Sequence, residues 1–170
     1  AEGILVSNVN ETLVLKEGDS VDVKQAFPTI RFPKLWSPKQ PYLYKVKTQI
    51  YKDGELADEL VTPYGVRWTK WPTAPDNNTN QFFINDTAVF INGIAEYEHI
   101  IGGSHAFSKE QIKTRAMMIK AAGFNAFRDG HQPHHLEYQH YWDSLGIMWW
   151  TQLSAHVWFD NDEFKKNFKT

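Results

Sequence analysis

The hydrophobic period changes once along the chain, and that change limits the fold more than any other feature. From Ile4 to about Trp71, short alternating apolar runs are broken by turn residues: Ile4-Leu5-Val6, Leu13-Val14-Leu15, Val21-Asp22-Val23, Tyr42 to Tyr51 and Leu60 to Trp68. Period two with frequent breaks predicts strands packed as an antiparallel sandwich. Lys52-Asp53-Gly54-Glu55 supplies a hairpin turn, because glycine accepts positive φ, and Glu17-Gly18-Asp19 does similar work earlier. Pro28, Pro33, Pro38 and Pro41 lack an amide donor and belong at edges or crossovers.

From Lys70 to Gln81 the chain is polar and interrupted by proline, with nothing periodic to bury, so the domain boundary is expected there. This gives a sandwich over residues 1–70, a linker over 71–81 and a second region over 82–170. In that region Phe82-Phe83-Ile84, Asn85-Asp86 and Ala88 to Ile91 predict a hairpin that runs on into a buried strand. Ser108-Lys109-Glu110-Gln111 is a capping box, Ile112, Ala116 and Ile119 follow at helical spacing, and Gly123 stops the helix. Phe124 to Arg128 reads as a strand, His134 to Leu145 as a helix ended by Gly146, and Ile147 to Trp150 as a third strand. Strand, helix, strand, helix, strand is the rhythm of a parallel βα sheet. A closed eight-stranded barrel takes about 250 residues. Only three strands fit here, and the chain ends as a helix begins after an Asp or Asn cap near Asp160 and Asn161, so an incomplete barrel is expected.

Composition removes several function classes. Eighteen Lys and Arg oppose 20 Asp and Glu, for a net charge of −2. No long run of one sign occurs, which argues against a nucleic-acid or anionic-membrane surface. The absence of cysteine excludes disulfides, thiol nucleophiles and iron–sulfur ligation and leaves the compartment open. Apolar stretches are short and the chain opens Ala1-Glu2-Gly3, so neither a membrane span nor a retained signal peptide is expected. Gly102-Gly103 stands alone, which disfavours nucleotide binding, and the Asn-x-Thr strings at Asn10, Asn77 and Asn85 decide nothing.

Six of the seven histidines lie between His99 and His140. In a parallel βα sheet the loops at the carboxyl ends of the strands form the site, so His99 after the first strand and His131 after the second are expected to converge, with Arg128 as a fixed cation beside them. Imidazoles and a guanidinium next to tryptophan faces suit a neutral polyhydroxylated ligand. The alternative is that each histidine only satisfies loop backbone. His131-Gln132-Pro133-His134-His135 invites a metal reading, but it lacks a carboxylate and helical His spacing; His134, His135 and His140 are better placed decorating a helix start and its exposed side. Trp142, Trp149 and Trp150 are platform candidates, although a buried sheet also needs bulky apolar residues. Among Glu96, Glu98, Asp129 and Asp160, nothing singles out the two positioned carboxyls that a general acid paired with a nucleophile or base needs. Glu98 beside His99 is the best candidate for ligand contact, a structural ion pair being the competing role.

Several strings together resemble glycoside hydrolase family 2, the β-galactosidase, β-glucuronidase and β-mannosidase family. They are Leu35 to Tyr44 (LWSPKQPYLY), Tyr64-Gly65-Val66-Arg67, Phe83 to Gly93 (FINDTAVFING), Ile119 to Arg128 (IKAAGFNAFR) and His131-Gln132-Pro133, and their order spans nearly the whole chain. The resemblance implies an immunoglobulin-like β-sandwich followed by the first three strands of a (β/α)8 TIM barrel. It also implies a retaining mechanism, with an acid/base Glu after strand four and a nucleophilic Glu after strand seven, both beyond this chain. Asn10-Glu11, in the sandwich half, is not the Asn-Glu of that acid/base. By the resemblance, His99 and His131 contact substrate and Arg128 supports the nucleophile. No cofactor is implied.

Departures from the family pattern matter too. The usual Asn-Arg-His-Glu after strand one reads Ala95-Glu96-Tyr97-Glu98, which unsettles the usual sugar specificity, and the Asp-Glu at the end of strand three reads Thr151-Gln152. Where large β-galactosidases hold magnesium, His156 and Trp158 stand instead, so no such metal is expected. The expectation is therefore a piece of a retaining, exo-acting β-glycosidase, inactive by itself, with His99, His131 and Glu98 binding a β-linked glycoside and Arg128 behind them. The competing readings are a carbohydrate-binding or structural module, and a metal-dependent hydrolase using His99, His131 and His135. The partners expected are carbohydrate and either further copies of the chain or the rest of a parent chain. A glycan-degrading role fits a periplasmic or secreted location.

Overall fold

The computed structural model describes residues 3–71, 81–99, 106–152 and 161–168. Expectations resting on 72–80 with Asn77, on Gly102-Gly103, on His156 and Trp158 and on Asp160 lie outside the described residues. The chain divides into two compact units, Ala1–Lys34 and Leu35–Thr170.

The described part of the first unit has the Gly18 turn, closed by Asp19 N–H donating to the Lys16 carbonyl at 3.0 Å, but no strand ladder. The strands expected at Ile4–Val6, Leu13–Leu15 and Val21–Val23 are therefore corrected to extended, unpaired chain. Alternation marks a strand that has a sheet to join; among the described residues none pairs with these, and Ile4 and Val14 remain 92% and 95% exposed.

The second unit holds eight strands and three helices among its described residues. Strands β1 (Tyr44–Lys52) and β2 (Glu55–Tyr64) pair antiparallel, Lys52 opposite Glu55, around Asp53-Gly54 with φ of 52° and 85°. Positive φ at both positions is the hairpin geometry whose twist matches the strands, and it starts β2 at Glu55 rather than at the expected Leu60. Strands β3 (Thr69–Lys70), β4 (Phe82–Ile84) and β5 (Thr87–Val89) form a small antiparallel sheet, turned at Asn85 and Asp86, again both at positive φ.

The parallel sheet has the order β6-β7-β8: Gly93–Glu96, Ala126–Asp129 and Met148–Trp150. Its first strand is not the expected Ala88–Ile91, and Phe90 is 85% exposed. The Asn125 side chain explains the delay: its Oδ1 accepts the Asn92 amide at 2.8 Å and its Nδ2 donates to the Phe90 carbonyl at 2.7 Å. These bonds occupy residues 90–92, and ladder pairing with β7 begins only at Gly93.

Helix α1 (Lys109–Ala121) begins with the full capping box at Ser108 and Gln111. Its i, i+4, i+7 face, Ile112, Ala116 and Ile119, is buried against the sheet and α2 (Glu137–Leu145). Tyr138 and Trp142, one turn apart on α2, stack with Phe127 of β7 to form the centre of the core; the Phe127–Trp142 ring distance is 4.7 Å. Helix α3 (Asp162–Phe168) is capped by Asn161, whose Oδ1 accepts the Phe164 amide at 2.8 Å.

The stretch Leu35–Pro41 is the strap that ties these parts together. Trp36 is buried; its indole N–H donates to the Asp143 carbonyl at 2.7 Å, its own carbonyl accepts from Asn85 Nδ2 at 3.0 Å, and Arg67 lies over its ring at 4.6 Å. The Pro38 carbonyl accepts from Lys120 Nζ at 2.9 Å. No helix among the described residues is long and apolar enough to cross a membrane.

Candidate functional site

The carboxyl ends of β6, β7 and β8 carry the chemistry, because parallel pairing sets one residue of each strand beside the next. Arg128 is in register with Ala95 and Trp150, and Glu96 with Asp129. Residues just beyond these positions emerge on one edge of the sheet.

The ring of Tyr97 links the two predicted histidines, at 5.9 Å from His99 and 5.2 Å from His131, both edge-on. His131 Nδ1 is 3.4 Å from Arg128 Nη2, and the Arg128 guanidinium is 5.9 Å from the Trp150 ring. An aromatic and cationic row thus runs His99, Tyr97, His131, Arg128, Trp150. Tyr97 and Trp150 are 56% and 71% exposed, so both offer ring surface to solvent. Such surface beside fixed polar donors is what a sugar ring needs: C–H faces cover the aromatic while hydroxyls meet the donors.

The carboxylates around this row are each engaged. Glu96 Oε1 accepts from Arg115 Nε on α1 at 2.7 Å, and Arg115 Nη2 also donates to the Tyr97 carbonyl at 3.2 Å. Partial burial opposes the Arg115 charge, but the Glu96 bond and the nearby charges together hold its pKa above the ordinary value. Burial pushes the Tyr138 hydroxyl upward in pKa, against the pull of Arg115. Glu98 is buried, and its Oε1 accepts the His135 amide at 2.9 Å. Asp129 is wholly buried, with Oδ1 accepting from the Trp149 indole at 2.8 Å and standing 3.2 Å from His134 Nδ1.

His134 corrects the expectation that it decorates an exposed helix start. Its side chain is buried edge-on against Phe127 and Tyr138, close to Asp129, and neither ring nitrogen completes a hydrogen bond of good geometry. The cause is long-range: Asp129 is fixed between β6 and β8, and α2 begins only at Glu137, so the preceding loop folds His134 inward. His135 and His140 are exposed. Trp142 is core, Trp149 packs partly buried against it, and Trp150 is the exposed member of the three. Among the described residues no group of three or more His, Asp or Glu side chains is arranged to hold a metal ion.

Sequence reasoning missed Tyr97 as the hub of the row and Arg115 as its anchor. The available signal for Tyr97 was its place one residue past the end of β6. Arg115 gave none, because its partners lie 18 and 19 residues away in sequence. An open groove of about 430 Å³ lies along α1, lined by Glu110, Gln111, Thr114, Arg115 and Met118; only Arg115 also belongs to the strand-end cluster.

Comparison with known proteins bears on the family of the chain and on its fold. The family model for glycosyl hydrolases family 2 matches residues 3–67, and the model for the TIM barrel domain of the same family matches residues 77–160. A putative β-glucuronidase of Formosa agariphila is 28% identical over 99% of this chain and 19% of its own length. A β-galactosidase of Alteromonas mediterranea is 26% identical over 84% of this chain and 13% of its own length. The crystal structure of a β-glycosidase from Bacteroides vulgatus superposes with a TM-score of 0.67 at 27% identity, covering 75% of this chain and 16% of that one. The chain thus spans less than a fifth of the length of each of these relatives. With both family regions matched in order, and the hairpin and parallel strands in their places, the chain belongs to glycosyl hydrolases family 2, as part of its immunoglobulin-like sandwich followed by the start of its TIM barrel.

Proposed function

We propose that this chain is the substrate-binding beginning of a retaining, exo-acting β-glycosidase whose two catalytic carboxylates are supplied by further chain. The proposal divides it into a sandwich over 1–70, a linker over 71–81 and barrel from 82 onward. His99 and His131 hydrogen-bond sugar hydroxyls, Glu98 orders the His135 backbone beside them, and Arg128 supports an anionic partner.

One observation carries the reading. Glu96, Glu98 and Asp129 are bound to Arg115, to the His135 amide and to Trp149, whereas Arg128 has no carboxylate partner among the described residues. Retaining hydrolysis needs two carboxyl groups about 5–5.5 Å apart on either side of the scissile bond, one to donate and recover a proton and one to form the glycosyl-enzyme. Committed carboxylates serve neither purpose. A guanidinium at a strand end with no carboxylate beside it among the described residues suits a nucleophilic carboxylate that arrives from another strand, since a charged hydrogen bond keeps such a group ionised. A module that only binds carbohydrate is not favoured, because the match includes the barrel itself.

The test compares this 170-residue chain with the product of the longer reading frame on 4-nitrophenyl β-galactoside and β-glucuronide. The longer protein is expected to hydrolyse at least one of them with retained anomeric configuration, and the chain alone neither. Turnover by the chain that survives repurification overturns the proposal.

A further inference from the structure

Tyr97 occupies the middle of the strand-end row, yet no part of the mechanism above uses it. Its ring packs edge-on against both histidine rings and is 56% exposed. The backbone beneath it is held by two hydrogen bonds to one carbonyl. Its carbonyl accepts from the His99 amide at 2.9 Å and from Arg115 Nη2 at 3.2 Å, while the same guanidinium binds Glu96 through Nε at 2.7 Å. Arg115 thus clamps two successive residues with one rigid planar fork, so the tyrosine ring meets a ligand with little ordering left to lose.

We propose that Tyr97 is the residue that sets which sugar this site accepts, with Arg115 as its positioning residue. The inference rests on the glycosidase reading above and adds to it the determinant of specificity. A phenol ring contributes a flat apolar face that covers the C–H surface of a pyranose, and a neutral hydroxyl that bonds one sugar hydroxyl. Sugars that differ by the axial or equatorial position of one hydroxyl, or by a carboxylate in place of a hydroxymethyl group, present different C–H faces and different partners to that ring. A site built to bond a particular hydroxyl rejects an analogue that lacks it, because its own polar group is left unpaired. His99 and His131 flank the ring edge-on at 5.9 Å and 5.2 Å, so Tyr97 stands between the two histidines that bond sugar hydroxyls and adds its ring face and hydroxyl to the selection.

The experiment uses the full-length protein and a panel of nitrophenyl β-galactoside, β-glucuronide and β-mannoside. Tyr97→Ala is expected to raise KM for the preferred sugar by about tenfold, the value of one aromatic contact, with kcat changed far less. Tyr97→His is expected to change the ratio of kcat/KM between two panel sugars by a similar factor. Arg115→Lys, which keeps the charge and loses the fork, is expected to raise KM in the parent background but not further in the Tyr97→Ala background, a non-additivity that general destabilisation does not produce. Unchanged KM and unchanged sugar ratios in both Tyr97 variants overturn the assignment of Tyr97, and additive Arg115 and Tyr97 effects overturn the positioning role. If the parent full-length protein hydrolyses no member of the panel, the glycosidase reading falls and this inference falls with it.

Discussion

Trp142→Ala is expected to destabilise the barrel segment by about 3–5 kcal/mol, the cost of deleting a large aromatic from a core that collapses only partly into the void. Trp142 is wholly buried, stacks on Phe127 at 4.7 Å and Tyr138 at 5.3 Å, and sits where α2 meets β7. Ordinary domains are stable by about 5–15 kcal/mol, so the loss removes a fifth or more of what is available. Urea unfolding followed by tryptophan fluorescence and far-ultraviolet circular dichroism reads it as a lower midpoint. A midpoint within a few tenths of a molar of the parent contradicts the packing described here.

Gly146→Ala is expected to cost about 2–5 kcal/mol, more than a helix-ending glycine usually does. Gly146 closes α2 at φ of 72°, where a side chain is strained by about 1–2 kcal/mol. In addition, a Cβ there would stand 2.6 Å from the Pro38 carbonyl oxygen, a backbone atom in the strap that also carries Trp36. Overpacking of this kind adds about 1–3 kcal/mol because backbone has to move. Gly123→Ala is the control: it shares a positive φ of 89° but has nothing within 4 Å of the added atom, so it should show the backbone strain alone. Equal losses in the two variants, by the same urea measurement, would show that the strap does not press on α2.

The contrast between these glycines shows how much the sequence reveals. Both read as helix stops, and both are; that information is local, resting on the end of an apolar periodicity. Nothing local distinguishes the one with Pro38 against it, because the contact joins residues more than a hundred positions apart. The same division runs through the rest of the chain. The Ser108 capping box, the Asn85-Asp86 turn and the Asp53-Gly54 hairpin are legible because a few neighbouring side chains determine each. The first parallel strand was misplaced because a single asparagine, Asn125, holds residues 90–92 from across the sheet. His134 was misread because burial next to Asp129 is decided by pairing between β6, β7 and β8. Unit Ala1–Lys34 shows the complementary failure: its alternation is real, but a strand exists only through a partner.

The candidate site followed the same logic. His99 and His131 were legible as neighbours from their positions after strands, and Arg128 from its place near the end of one, since the ends of parallel strands gather side chains whatever their sequence. Glu98 was legible as a position, but its bond to the His135 amide was not. Tyr97 and Arg115 required the folded contact between α1 and the end of β6.

In the function proposed, this chain holds and orients a sugar while carboxylates from elsewhere break the glycosidic bond. The most direct measurement traps the glycosyl-enzyme of the full-length protein with a 2-deoxy-2-fluoro glycoside of the preferred sugar and maps the labelled peptide by mass spectrometry. A single labelled glutamate outside residues 1–170 is expected; a label on Glu96, Glu98 or Asp129 would overturn the proposed function.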